Sequence, residues 1–136
     1  MGVGEGRPSA ADAAIVILLD TNAVIWLDQN HRRVRALARS KSRLLVSPAT
    51  LLELQMLDEI GRLRLRSGLR GVIDSDRWEI DEPPAVQWFE QAAEESWTRD
   101  PFDRLIAAHS RLRRFKLASG DGAILERLRP SERVEL

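Results

Sequence analysis

The sequence predicts an α/β fold: a three-layer α/β/α domain whose helices cover both faces of a central, mostly parallel sheet of four to five short strands. Three observations carry that expectation. Ile15-Val16-Ile17-Leu18-Leu19 is an unbroken apolar run of strand length, the pattern of a strand buried on both faces. Leu44-Leu45-Val46 and the weaker Lys116-Leu117-Ala118 are further short runs of the same kind, and 77–80 and 133–136 add candidate edge strands. Segments with helical periodicity separate them, and strands alternating with helices are what a parallel sheet with crossover helices requires.

Along the chain, residues 1–13 (MGVGEGRPSAADA) hold Gly, Ala, Ser and Pro without apolar periodicity and are expected to form a flexible leader, so that the domain proper spans 14–136. After the first strand, helices are expected at 22–28, 31–40, 48–60, 84–96 and 101–114, with a short one at 122–128. Ser47-Pro48 and Asp100-Pro101 are each an N-cap followed by proline at the first helical position. Gly61 is placed to stop the helix that starts at Pro48. Residues 68–76 read as a short helix or loop, and Pro83-Pro84 as a turn into the next helix.

Composition narrows the chemistry. The 136 residues suffice for one domain with a real core, and a charged fraction of 31% beside 43% hydrophobic residues fits a globular chain. The absence of cysteine excludes disulfides and thiolate metal sites. Net charge is zero, so no global field draws the chain to nucleic acid or membrane, although every basic residue except Lys41 and Lys116 is an arginine. No segment is long enough to span a bilayer, and the apolar run 13–19 follows Asp12 without a basic flank, so a cytoplasmic protein is expected. G-x-S-x-G, Walker A and G-x-G-x-x-G patterns are absent.

The acids are the informative residues. On a helix from Pro48, Gln55, Asp58 and Glu59 mark the polar face, and Glu53 lies about 170° from its centre at about 100° per residue. Its neighbours three and four positions away are Ala49, Thr50, Met56 and Leu57. An inward glutamate needs a partner, because desolvating a lone carboxylate costs several kcal/mol. That partner is either an arginine or a cation. Asp20, at the exit of the first strand, is by itself explained as the cap of the following helix, and Asp121 in SGDGAIL repeats the arrangement. Two parallel strands would then each deliver an aspartate to one edge of the sheet. In RDPFDRLIAAH, Asp100 is the cap, and Asp103 falls in the first turn beside the apolar stripe Phe102, Leu105, Ile106 and Leu112, undecided between surface and site. His109 lies inside that stripe and reads as a hydrogen-bonded core residue; His31 reads as surface. With no second histidine nearby in the pattern, zinc is disfavoured.

If Asp20, Glu53, Asp103 and Asp121 meet at the carboxyl edge of the sheet, their repulsion calls for a cation between them, and oxygen-only ligation selects Mg²⁺ or Mn²⁺. Such an ion activates water and neutralises a phosphate oxygen, so phosphodiester hydrolysis is the natural chemistry. Asn22, next after Asp20 and Thr21, could orient a carboxylate or a water.

LLDTNAVIWL, SPATLLELQMLDEIG, DPFDRLIAAH and LASGD resemble, in order and spacing, the conserved blocks of PIN-domain proteins, most nearly the VapC-type toxins of toxin–antitoxin pairs, over roughly residues 14–136. The resemblance implies a PIN-like fold, with Asp20, Glu53, Asp103 and Asp121 as the acidic quartet around Mg²⁺ (Mn²⁺ as substitute) and Thr21 and Asn22 in supporting positions. It implies an endoribonuclease acting on tRNA, rRNA or mRNA, usually dimeric. A small VapB-type antitoxin, whose C-terminal tail fills the active groove, would silence it. A leader of 13 residues is a departure, since these proteins usually begin almost at the first strand.

Two other readings compete. A catalytically silent PIN module binding RNA or a protein is disfavoured by retention of all four acids. A phosphotransferase of the dehalogenase or receiver type wants a second Asp two residues after the first, where Asn22 stands, and a lysine after a later strand, whereas Lys116 precedes its strand. Arginine-rich stretches at 31–43, 61–70 and 111–115 are each candidates for holding RNA phosphates or for ordinary solvated faces. Aromatic residues are too few to support recognition by base stacking.

Overall fold

The computed structural model describes residues 15–136; the leader expected over 1–13 lies outside the described residues. Five strands form one sheet: β1 (Val16–Leu19), β2 (Arg43–Val46), β3 (Glu79–Ile80), β4 (Lys116–Ser119) and β5 (Arg133–Glu135), in the order β3-β2-β1-β4-β5. Every pairing is parallel. Leu18 is in register with Leu45 and Leu117, and Leu19 with Val46 and Ala118. Because strand side chains alternate faces, each register row feeds one layer. Leu18, Leu45 and Leu117 pack with Trp88, Ala92 and Ile106 on one side. Ile17, Leu19, Val46 and Ala118 pack with Val24, Leu27 and Trp78 on the other. The central strands are thus buried on both faces, which is why they read as continuous apolar runs.

The helices are α1 (Thr21–Asp28), α2 (Arg35–Arg39), α3 (Pro48–Glu59), α4 (Gly68–Ile73), α5 (Ala85–Glu94), α6 (Pro101–Arg113) and α7 (Gly122–Leu125). Ser47 and Asp100 cap α3 and α6 as expected, with proline next in each case. Gly61 takes φ +79° just past α3, a conformation that favours glycine. The single helix expected over 31–40 is instead a 3-10 turn (Arg32–Val34) followed by α2. The His31 ring nitrogen accepts the Arg33 N–H, and Val34 leaves helical geometry at φ −111° to bury its side chain, so the segment breaks in two.

His109 is the core residue its stripe implied. It is fully buried, edge-on to Trp88, and its Nε2 lies 2.7 Å from Asp81 Oδ2, which also accepts from Arg113 at 3.0 Å. Burial lowers the His109 pKa against the opposing pull of Asp81. Burial also opposes ionisation of Asp81, but its bonds from His109 and Arg113, with their charge, outweigh it and hold the carboxyl below its ordinary value.

Helix α3 departs from a simple inward–outward division. Ala49 packs into one core cluster and Leu54 into the other, so the helix crosses between layers. Met56, expected on the inner side near Glu53, is 45% exposed, and with Leu52 (57%) and Ile60 (65%) it forms an apolar stripe at four-residue spacing. Val86 and Phe89 on α5 are likewise exposed.

Candidate active site

The carboxyl ends of β1 and β4 carry Asp20 and Asp121, as the topology required. Asp20 is 4% exposed; its N–H donates to the Ala118 carbonyl across the sheet, and its Oδ1 accepts from Ala23 N at 2.7 Å, capping α1. Burial raises the Asp20 pKa, partly offset by hydrogen bonds from Ser119 and Ala23, and the charge of Asp121 adds to the rise. Asp121 caps α7 through Oδ1 and Ala123 N at 2.8 Å, and its own N–H donates to Ser119 Oγ at 3.0 Å. Ser119, fully buried, therefore stands between the two aspartates.

Glu53 arrives from α3 and is half-buried. Among the described residues it pairs with no arginine; the Thr21 hydroxyl donates to its Oε1. Thr21 is itself buried, with the Thr50 hydroxyl 3.3 Å away. The Glu53 pKa is raised by burial, against the Thr21 bond, and further by the charges of Asp100 and Asp20. Asp103, in the first turn of α6, is pushed to about 7 by burial and then by Asp100, Asp121, Glu53 and Asp20. Asp103 thus lies in the field of the other three candidate acids. Asp100 is exposed and caps α6, accepting from Phe102 and Asp103 N–H at 2.8 and 3.2 Å, and its charge bears on Glu53 and Asp103. Asn22 is exposed in the first turn of α1, so the bond that orients Glu53 belongs to Thr21.

Two buried hydroxyls, Thr50 and Ser119, were not singled out from the sequence. Thr50 stands one helical turn before Glu53, and Ser119 two residues before Asp121 in a turn that side-chain hydroxyls favour. Those spacings were the available signals.

Shared field is not yet shared coordination. Among the described residues, no three acidic or histidine side chains close on one point. Asp20 and Asp121 each commit an oxygen to a cap, and Glu53 is hooked by Thr21. The donor chemistry fits a hard divalent cation: oxygen only, partly desolvated, with excess negative charge.

Gly120 holds the loop that presents Asp121 against α1. A Cβ there would stand 2.8 Å from the Trp26 ring and 3.0 Å from Arg33 Nη2. Arg33 is fixed over Trp26 at 4.5 Å and donates to the Leu136 carbonyl at 2.6 Å, so it has little room to yield. Gly120→Ala is expected to cost about 1–3 kcal/mol by overpacking, measurable by urea denaturation.

The family model of the PIN domain matches residues 17–129. The chain belongs to the PIN-domain family. Among curated proteins no sequence matches it. Solved structures share its fold at low identity. VapBC-1 from nontypeable Haemophilus influenzae aligns with a TM-score of 0.67 and 18% identity over 89% of this chain and 98% of that one. DNA-bound VapBC from Salmonella typhimurium gives 0.63 and 24% over 89% and 97%. Mycobacterium tuberculosis VapC20, a sarcin–ricin loop cleaving toxin, gives 0.59 and 20% over 84% and 99%. No helix of the described PIN domain is long and apolar enough to cross a membrane.

Beside the acids, the PIN domain has a cavity of about 180 Å³ between α1, α3 and α4, lined by Val24, Leu54, Leu63, Leu65, Val72 and Trp78 among others. None of the four acids lines it, although Leu54 follows Glu53 directly.

Proposed function

We propose that this PIN domain is a VapC-type endoribonuclease, the toxin of a toxin–antitoxin pair, hydrolysing RNA phosphodiester bonds with Mg²⁺ or Mn²⁺. The proposal is supported by the PIN-domain match together with Asp20 and Asp121 at the carboxyl ends of the neighbouring strands β1 and β4. The raised pKa of Asp103, pushed to about 7 by burial and by Asp100, Asp121, Glu53 and Asp20, accords with it. A carboxyl so strained is costly as structure and useful as a cation ligand. Asp20, Glu53, Asp103 and Asp121 would hold the ion, which when bound lowers the pKa of a water and offsets charge on a phosphate oxygen. The chain's own part is positional. The caps fix Asp20 and Asp121 through one oxygen each, and Ser119 gives Asp20 a further hydrogen bond. Thr21, backed by Thr50, orients Glu53. Asn22, exposed in the first turn of α1, would bond a water or a phosphate oxygen.

The substrate would be a cellular RNA (tRNA, rRNA or mRNA), in line with the loop-cleaving activity in the name of the M. tuberculosis relative. The VapBC neighbours support a VapB-like antitoxin as partner. Its C-terminal tail would enter the acidic groove, and the setting would be cytoplasmic. A homodimer would cover the exposed apolar residues of α3 and α5. Phe89→Asp is then expected to convert the dimer to a monomer in light scattering and to remove the concentration dependence of the melting temperature, with the single chain still folded by circular dichroism because Phe89 is 58% exposed in it.

The test is cleavage of end-labelled RNA with Mn²⁺ or Mg²⁺ and its loss in EDTA. Undiminished cleavage in EDTA would overturn the metal mechanism. RNA binding with no cleavage under any metal would favour the silent module.

A further inference from the structure

We propose that the segment after α3 is a phosphate-gripping arm, in which Arg62, Arg64 and Arg66 hold the backbone of the RNA that enters the acidic site. The proposal rests on the nuclease reading and names the chain's handle on that substrate. An acidic site repels a polyanion, so the flanking chain has to be held by cations outside it.

The structure separates the three arginine-rich stretches. In 111–115, Arg111 is tied to Glu95 at 3.1 Å and to the Arg127 carbonyl, and Arg113 to Asp81, all near the end of α6 remote from Asp103. In 31–43, Arg33 is held by Trp26 and Leu136, and Arg43 by Glu79 at 2.7 Å. That stretch leads into the start of β2, which pairs with Val16 at the end of the sheet opposite Asp20. In 61–70, Arg62, Arg64 and Arg66 are exposed and form no ion pair among the described residues. Only Arg70 has a partner, Asp74, at 3.5 Å.

This third stretch follows the helix that carries Glu53, with Arg62 three residues past the helix end at Glu59. Residues 63–65 have no regular structure, and exposure alternates, with Leu63 and Leu65 half-buried and the arginines out. The two leucines pack against the core that holds Val24 of α1 and Leu54 of α3, the helices that bear Thr21 and Glu53, and with Arg66 they line the cavity beside those helices. The anchored leucines therefore hold Arg62, Arg64 and Arg66 on the exposed side of the segment. Guanidinium binds phosphate bidentately, and anchoring reduces the ordering cost of the contact.

The experiment measures binding of a fluorescein-labelled uridine homopolymer of about 20 nucleotides by anisotropy, using the full chain with Asp20→Asn so that the probe stays uncut. Arg62→Gln/Arg64→Gln/Arg66→Gln is compared with Arg32→Gln/Arg35→Gln/Arg39→Gln, exposed arginines near α2. The arm variant is expected to bind about tenfold or more weakly and to flatten the slope of log K against log salt by about 2, with neither change in the control. Equal loss in both variants, full binding by the arm variant, or no binding by the parent would overturn the arm. So would loss of a co-expressed antitoxin with RNA affinity intact. Cleavage of the same probe with Asp20 restored and Mn²⁺ present is read separately. Its failure beside intact arm-dependent binding counts against the nuclease and not against the arm. Unchanged melting temperatures show that both variants fold.

Discussion

Asp20→Asn is expected to lower metal-dependent RNA cleavage by about 10²-fold or more while leaving the fold in place. The substitution separates two functions of one side chain. As a cap, Asp20 uses one oxygen to accept from Ala23 N, and asparagine caps about as well as aspartate. As a buried anion it would bind a cation, and the neutral amide cannot supply that charge. Burial raises the Asp20 pKa, so removing the charge relieves a cost in the protein without a cation. Circular dichroism and the melting temperature in EDTA should therefore be unchanged or better, while cleavage collapses. Glu53→Gln is expected to behave in the same way, since glutamine still accepts from the Thr21 hydroxyl. If Asp20→Asn cleaved RNA at the parental rate with Mn²⁺, the carboxylate would be a cap and nothing more.

The sheet was legible because buried parallel strands leave an unambiguous trace. β1 and β2 are apolar on both faces and were found to within a residue. β3, with two residues and one exposed, was placed only as part of a longer edge segment. Capping chemistry located α3 and α6, since Ser-Pro and Asp-Pro each name both a cap and a first helical residue. The split of 31–40 was hidden, because a short amphipathic run looks the same whether its first turn is 3-10 or α. At the site, Glu53 stood out by its helical position alone. Asp20 and Asp121 were recognisable as caps and gained meaning only from the parallel topology that sets both at one edge. The bonds from Thr21 to Glu53 and from Asp121 N–H to Ser119 cross between segments or fold back within a turn, and no periodicity encodes them. The exposure of Leu52, Met56 and Ile60 on α3 has a related cause: a helix crossing between layers buries one flank at each end, and a wheel assumes one buried face throughout.

Asp103→Asn carries the other large effect, and its sign depends on pH. The folded-state pKa of Asp103, about 7, lies above the ordinary aspartate value of 3.8, so between those values the native protein binds more protons than the unfolded chain. Below pH 3.8 the carboxyl is protonated in both states and contributes nothing. As pH rises through that window stability falls, and above about 7 the native state bears the full cost of an anion crowded by Asp100, Asp121, Glu53 and Asp20. Asp20 and Glu53, also raised, act in the same direction. Asp81, held below its ordinary value, works oppositely only in acid, and His109, held below 6.5 by burial, works oppositely from just below neutrality. The Asp103 contribution is therefore read as the difference between the parent and Asp103→Asn at each pH. In EDTA the parent protein should melt at a higher temperature at mildly acidic pH than at pH above 7. Asp103→Asn should flatten that dependence and stabilise the alkaline side by about 1–2 kcal/mol, the full linkage value being reduced by solvent screening of a half-buried group. Mg²⁺ or Mn²⁺ should raise the parent's melting temperature most where Asp103 is already ionised, because a cation then meets no proton to displace. The variant should gain much less from either metal and should cleave RNA no better than Asp20→Asn. A variant less stable than the parent above pH 7, or one with the parent's pH slope, would show that Asp103 is not the strained member of the cluster.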